Sequence, residues 1–200
     1  MKIISVIILE LENNELSLIN PLAKIKALAS RLNNVELLDW VNNEINGYQL
    51  MFKFPKYRMV DSEIKGVYKN NYQLFNNLPL FTSMLNPEDR MMQVKIGVEF
   101  MESLIRNGEM EIIRKPLISI LCDTISEGYR EMGYDMLEVI SATQEIQKTE
   151  LEKILITLRL NLLNLMKVID VKYLEKELKD LRNSDFQNIN QVISVNLNKW

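Results

Sequence analysis

The sequence contains no histidine and a single cysteine. Without an imidazole there is no Ser–His or Cys–His nucleophile pair and no His-bearing zinc or non-haem iron site, which removes most familiar hydrolase and oxidoreductase designs. Only carboxylates, Lys, Arg, Tyr, Ser and Thr remain for chemistry. The lone Cys122 lies in the apolar run LISILCDTI, where it reads as a small buried hydrophobe with no base to activate it, so disulfide scaffolding is excluded and the cytoplasm is the expected compartment. Glycine is scarce too: six residues, none arranged as Gly-x-Gly-x-x-Gly or a Walker loop, leave no phosphate cradle of the usual design. Long apolar runs are missing. The N-terminal MKIISVIILEL has an apolar run of about seven residues followed by charged Glu10 and Glu12 with no small-residue cleavage site, which does not suit a signal peptide, and it is far short of the roughly 20 residues that a membrane span needs. No membrane span is expected, and the segment reads as a first helix or strand packed on the body.

What is present is a globular composition. Hydrophobic residues make up 47% and charged residues 26% of 200 positions, and the net charge of −3 is too small to argue for a nucleic-acid partner. A chain of this length buries roughly 70% of its unfolded surface, so one domain over residues 1–200 is the expectation. Most of the chain runs in helical rhythm. Leu22, Ile25, Ala29 and Leu32 form one stripe, Asn33 and Asn34 supply a stop and the next N-cap, and Leu37, Leu38, Val41 and Ile45 form a second stripe ending near Gly47. The two helices read as an antiparallel hairpin.

After Gly47 the period changes. Strand-forming residues from Met51 to Tyr68, with Pro55 and Gly66 as punctuation and Asp61-Ser62 as a turn, predict a small β-hairpin. Residues 70–85 read as a long irregular connection. Asn86-Pro87-Glu88-Asp89 carries the signals of a helix start, predicting a helix that brings Val94, Val98, Met101 and Ile105 inward and stops at Asn107-Gly108. Another helix is expected over 115–126, and 127–147 fits strand and helix equally well. A long helix opens at Thr149-x-x-Glu152 and carries Leu151, Ile154, Leu155, Leu158, Leu162, Leu165, Met166 and Ile169 inward, while Ile156, Leu160 and Leu163 add a second apolar strip. A helix apolar on two faces is either central in the fold or shared with another subunit. A short helix over 171–181 and an Asn-rich tail, packing by Phe186, Ile189, Val192, Ile193 and Val195, close the chain. The expected fold is therefore mainly α: an antiparallel helical bundle with a small β-hairpin insertion around residues 51–68.

Few residues stand apart from this pattern. The acidic run Glu127, Glu131, Asp135 and Glu138 is interrupted by Arg130 and reads as a solvated face. Lys53, Lys56 and Arg58 alternate with Phe52, Phe54 and Tyr57, which suits either stacking on a single-stranded nucleic acid or a hairpin with one buried aromatic face. Trp40, Glu44, Tyr48, Tyr57 and Arg58 form the candidate ligand- or partner-binding cluster. The competing reading pairs Glu44 with Arg58 at the junction of helix and hairpin, with the aromatic rings packed over them, so that the group only sets the fold. Arg159, set among apolar positions of the long helix, is either a buried structural partner or a ligand contact. No catalytic set, metal site or cofactor is expected.

These residues carry a resemblance. Ala27-Leu28-Ala29-x-Arg31-Leu32, Glu36-Leu37, Trp40, Glu44-x-x-Gly47-Tyr48 and Pro55-x-Tyr57-Arg58 resemble the N-terminal signature of the AbiTii family of bacterial abortive-infection proteins. Leu158-Arg159-x-x-Leu162-Leu163-x-Leu165 is similar to a later helix of that family, except that Leu160 stands where an Asn commonly follows the Arg. The resemblance implies an anti-phage role inside the cell without supplying a reaction. Two mechanisms follow: a binding or sensing protein that forms a homo-oligomer and engages a phage or host protein or a second defence-system subunit, or a toxin enzyme acting on nucleic acid or nucleotides through Glu44, Arg58 and Arg159. The first is favoured, because no catalytic constellation stands out. Membrane perturbation by the apolar N-terminus is a third and weaker reading.

Overall fold

A computed structural model describes residues 2–15, 17–49, 54–108, 111–173 and 181–200. The chain divides into two compact units, one of Met1–Tyr57, Lys95–Asn107 and Leu151–Trp200 and one of Arg58–Val94 and Gly108–Glu150.

The first unit is helical. Helix α1 (Lys2–Glu12) buries Ile4, Ile7 and Leu11 at helical spacing, which answers the question of helix or strand at the N-terminus. Helix α2 (Ile19–Arg31) and helix α3 (Val35–Asn46) follow the expected stripes, with Leu22, Ile25, Ala29, Leu37 and Val41 fully buried. Between them Asn33 takes φ 50°, and the Asn34 side chain accepts a 2.7 Å hydrogen bond from the Leu37 amide, so one residue ends a helix and the next starts another. Asn190, on helix α7 (Asn183–Leu197), meets Asn34 at 3.0 Å. Helix α3 stops at Gly47, whose φ of 96° favours glycine. The segment running into helix α4 (Val98–Asn107) lies against this end: a methyl group on Gly97 would stand 2.2 Å from the Ile45 carbonyl oxygen. Helix α6 (Lys148–Tyr173) buries Leu151, Ile154, Leu158, Leu162, Leu165, Met166 and Ile169, and α7 buries Ile189 and Ile193.

The second unit corrects the helical-bundle expectation. It holds a four-stranded antiparallel sheet of order β3-β2-β6-β5, made by β2 (Glu63–Asn70), β3 (Gln73–Pro79), β5 (Ile112–Pro116) and β6 (Leu137–Gln147), and a two-stranded sheet of β1 (Met59–Asp61) with β4 (Met91–Gln93). The protein is a mixed α/β fold. The turn at Ser62 does not close a hairpin, because β1 and β2 join different sheets; the hairpin partner of β2 is β3, inside the stretch expected to be irregular. The part of the expected hairpin at 51–53 lies outside the described residues. The start signal at Asn86-Pro87 opens only a 3-10 turn, Pro87–Arg90, and the chain becomes β4 before α4 begins at Val98. Helix α5 (Ser119–Glu131) starts after β5, later than its pattern suggested. Part of the expected helix over 171–181 likewise falls outside the described residues.

The ambiguity of 127–147 has a physical cause. The register of β6 against β2 shifts between Val67, opposite Ser141, and Tyr68, opposite Val139, leaving Ile140 as an extra residue. Such a bulge changes the phase of the two-residue alternation. Buried apolar and amide positions accordingly run Leu137 and Val139, then Ala142, Gln144 and Ile146, with the carboxylate of Glu145 also buried between the last two. A pattern that switches parity midway loses the strict alternation that would have favoured strand over helix. The core of this unit joins Ile64, Leu80, Leu85, Leu137, Val139 and Ala142 to Cys122 and Ile125 of α5. Cys122 is buried, and burial pushes its thiol up from the ordinary value.

Candidate functional site

Three members of the cluster singled out from the sequence, Glu44, Tyr48 and Tyr57, meet at one carboxylate oxygen. Glu44, on the last turn of α3, is completely buried. Its Oε1 accepts hydrogen bonds from the Tyr48 hydroxyl at 2.5 Å and the Tyr57 hydroxyl at 2.6 Å. A buried carboxylate needs such donors, because an unsatisfied charge in the interior costs several kcal/mol. Tyr48 is itself buried, its amide donates to the Lys95 carbonyl at 2.7 Å, and its ring meets Phe54 edge-on at 5.2 Å. Trp40 packs on Trp200, ring centroids 4.9 Å apart, and the Lys56 amide donates to the Trp200 carbonyl at 2.8 Å. The last residue of the chain thus belongs with the opening signature, a link that 160 residues of separation hid from sequence reasoning.

Arg58 opens the sheet unit. It is fully buried, its Nη1 donates to the Val94 carbonyl at 3.0 Å, and its own carbonyl accepts from the Val94 amide at 2.9 Å. The alternation of basic and aromatic residues does not make an exposed basic face where it is described: Lys56 is exposed, while Arg58 is sealed. Phe52 and Lys53 lie outside the described residues. The acidic run Glu127, Glu131, Asp135 and Glu138 is exposed throughout. Among the described residues no group of three or more Asp, Glu or Cys is placed to hold a metal ion, and no helix is long and apolar enough to cross a membrane.

Arg159 stands elsewhere in the helical unit. Its Nη1 donates to the carbonyl oxygens of Asn13, Leu11 and Glu10, at 2.9, 3.2 and 3.4 Å. These carbonyls form the C-terminal end of α1, where a cation is favoured by the partial negative charge of the unpaired groups. Partial burial holds the guanidinium below its ordinary value, and the charge of Glu102 opposes that shift. Glu102, which sequence reasoning missed, does the converse at the next helix: its carboxylate accepts from the Ser17 hydroxyl at 2.6 Å and the Leu18 amide at 2.8 Å, at the start of α2. Nothing in the spacing could have paired residues 85 positions apart. Arg159 and Glu102 therefore fix the α1–α2 corner from α6 and α4, and both face an open groove of about 890 Å³. Leu18, Ile105, Leu155, Ile156 and Leu160 give the groove apolar walls, and Glu15, Glu152 and Arg106 stand among its lining residues.

A second ionic centre was also missed. Glu145 on β6 is nearly buried, and accepts from Arg114 Nε at 2.7 Å and Lys65 Nζ at 2.9 Å. The Arg114 hydrogen bond, and then that of Lys65, holds its carboxyl below the usual range. It ties β6 to both neighbouring strands.

The arrangement defines a two-unit α/β protein whose most distinctive ionic residues, Glu44 and Arg58, are spent on internal hydrogen bonds. The chain belongs to the AbiTii family, whose model matches residues 2–194, and the role of that family is abortive-infection defence against phage. No curated protein and no solved structure matches the chain.

Proposed function

We propose that this abortive-infection protein acts in the cytoplasm by binding a phage or host component, as an assembly of several copies, and does not transform a substrate. The supporting observation is the burial of Glu44 and Arg58, the two charged residues that an enzyme reading would use first. An acid, base or transition-state clamp has to reach the reacting atoms, whereas Glu44 carries two tyrosine hydroxyls and Arg58 a backbone carbonyl. The groove in the helical unit is accessible, and apolar walls with a few charged groups suit recognition.

Two measurements test the reading. The full chain, purified from infected and from uninfected cultures, should carry a phage- or host-derived component in fixed ratio only after infection. The purified chain, incubated with RNA, DNA and nucleotides plus Mg²⁺ in an infection-matched extract, should leave all of them intact. Turnover of any one of these would overturn the proposal in favour of a toxin enzyme.

A further inference from the structure

We infer that the face of the helical unit centred on Ile156 and Leu160 of α6 is the contact surface for a second copy of this chain. The inference rests on the assembly part of the proposed function and names its surface. Helix α6 has its core stripe fully buried, yet Ile156 and Leu160 remain 58% and 51% exposed, and Val171 is 74% exposed about three turns beyond Leu160. The strip is therefore not central in its unit. Ile156 and Leu160 also wall the 890 Å³ groove, together with Leu155 and Ile105, so protruding and recessed apolar surfaces lie side by side. A two-fold axis beside Leu160 lets the ridge of each copy enter the groove of the other.

Charge argues for a second copy as the occupant. An interface about a two-fold axis brings one patch against itself, so a patch of a single sign repels its mate and a patch carrying both signs does not. Here Glu15 and Glu152 stand with the α1–α2 corner and α6, Arg106 stands on α4, and the exposed apolar pair belongs to the same groove. Among the described residues none of the three has an ion pair inside its own chain. A patch that holds both Glu15 and Glu152 and the Arg106 guanidinium allows acid-to-arginine pairs between two copies related by a two-fold axis. Lys167, further along the strip, is already held by Glu12 at 2.7 Å.

Light scattering coupled to size exclusion, run on the full chain over a concentration series, tests the surface. Wild-type protein is expected to dimerise. Leu160→Glu and Ile156→Glu, both at exposed positions, should weaken the dimer at least about 100-fold, since each buries an unpaired charge in the contact. Arg106→Glu should weaken it about tenfold, and adding Glu152→Arg in the same chain should recover most of that loss, with unchanged thermal unfolding of each monomer as the fold control. Recovery in the doubly reversed chain is a result that mere misfolding does not produce. A wild-type chain that stays monomeric throughout overturns both this surface and the assembly part of the proposed function. A dimer that survives Leu160→Glu and Arg106→Glu overturns the surface alone, and capture of a phage or host component is read independently of either.

Discussion

Removing the Tyr48 hydroxyl is the sharpest test of whether the opening signature builds the fold. Tyr48 is 6% exposed and donates at 2.5 Å to Glu44, which is fully buried. A hydrogen bond to a charged group contributes about 1.5–3 kcal/mol, and burial of both partners argues for the upper half of that range, so Tyr48→Phe should cost about 2 kcal/mol. Tyr57 donates to the same oxygen at 2.6 Å but is only half-buried, so Tyr57→Phe should cost about 1 kcal/mol. The double variant leaves Oε1 without either phenol, and should cost about 1 kcal/mol more than the sum, because the desolvated carboxylate then loses its last phenol donor. Guanidinium unfolding of the four proteins, with m-values held equal, gives the coupling directly. Losses of a few tenths of a kcal/mol for both single variants, with phage protection abolished, would refute the structural account and make these hydroxyls the contacts of a ligand.

Three further outcomes follow from other parts of the molecule. Gly97→Ala should destabilise the helical unit by about 3 kcal/mol or more in denaturant titration, since its methyl would lie 2.2 Å from backbone oxygen at Ile45 and neither strand of chain can yield cheaply. Arg159→Met should cost about 2 kcal/mol and show as faster amide exchange along α1, whose terminal carbonyls lose their cation; unchanged exchange there would contradict the corner-fixing role. The Glu145 carboxyl, held below its ordinary range by Arg114 and then Lys65, contributes stability that is present above the unfolded carboxylate pKa of about 4.3 and is lost as pH falls through the lower folded value. Wild-type denaturation midpoints should therefore drop more steeply below about pH 4 than those of Glu145→Gln, and parallel pH curves would remove Glu145 from the account.

The helices with regular apolar stripes were legible in the residues because an α-helix is decided locally. Leu22, Ile25 and Ala29, then Leu37 and Val41, and the run from Leu151 to Ile169, each repeat at 3.6 residues, and each is buried as the pattern requires. Asn34 and Gly47 marked boundaries through their own side-chain and backbone chemistry. The absence of histidine was equally decisive for the classes of chemistry it excludes. Strand pairing was another matter. Gln73–Pro79 buries almost nothing on either face and carries no alternation, so its identity as a strand comes only from its hydrogen bonds to β2; β6 hides its period behind a bulge at Ile140.

The same division holds for the candidate site. Sequence alone picked out Trp40, Glu44, Tyr48, Tyr57, Arg58 and Arg159, because each is costly to bury or large enough to need a reason. Tertiary structure decided what each one does: Glu44 receives two phenols, Arg58 holds the Val94 carbonyl, Trp40 meets Trp200, and Arg159 closes the end of α1. Glu102 and Glu145 carried no mark at all, since their partners are brought to them from 31 to 85 positions away. Local propensity and period are properties of neighbouring residues. The partners of a buried charge depend on which distant segments the fold brings together, and so Glu44, unmistakable as a residue, acquired its role only in three dimensions.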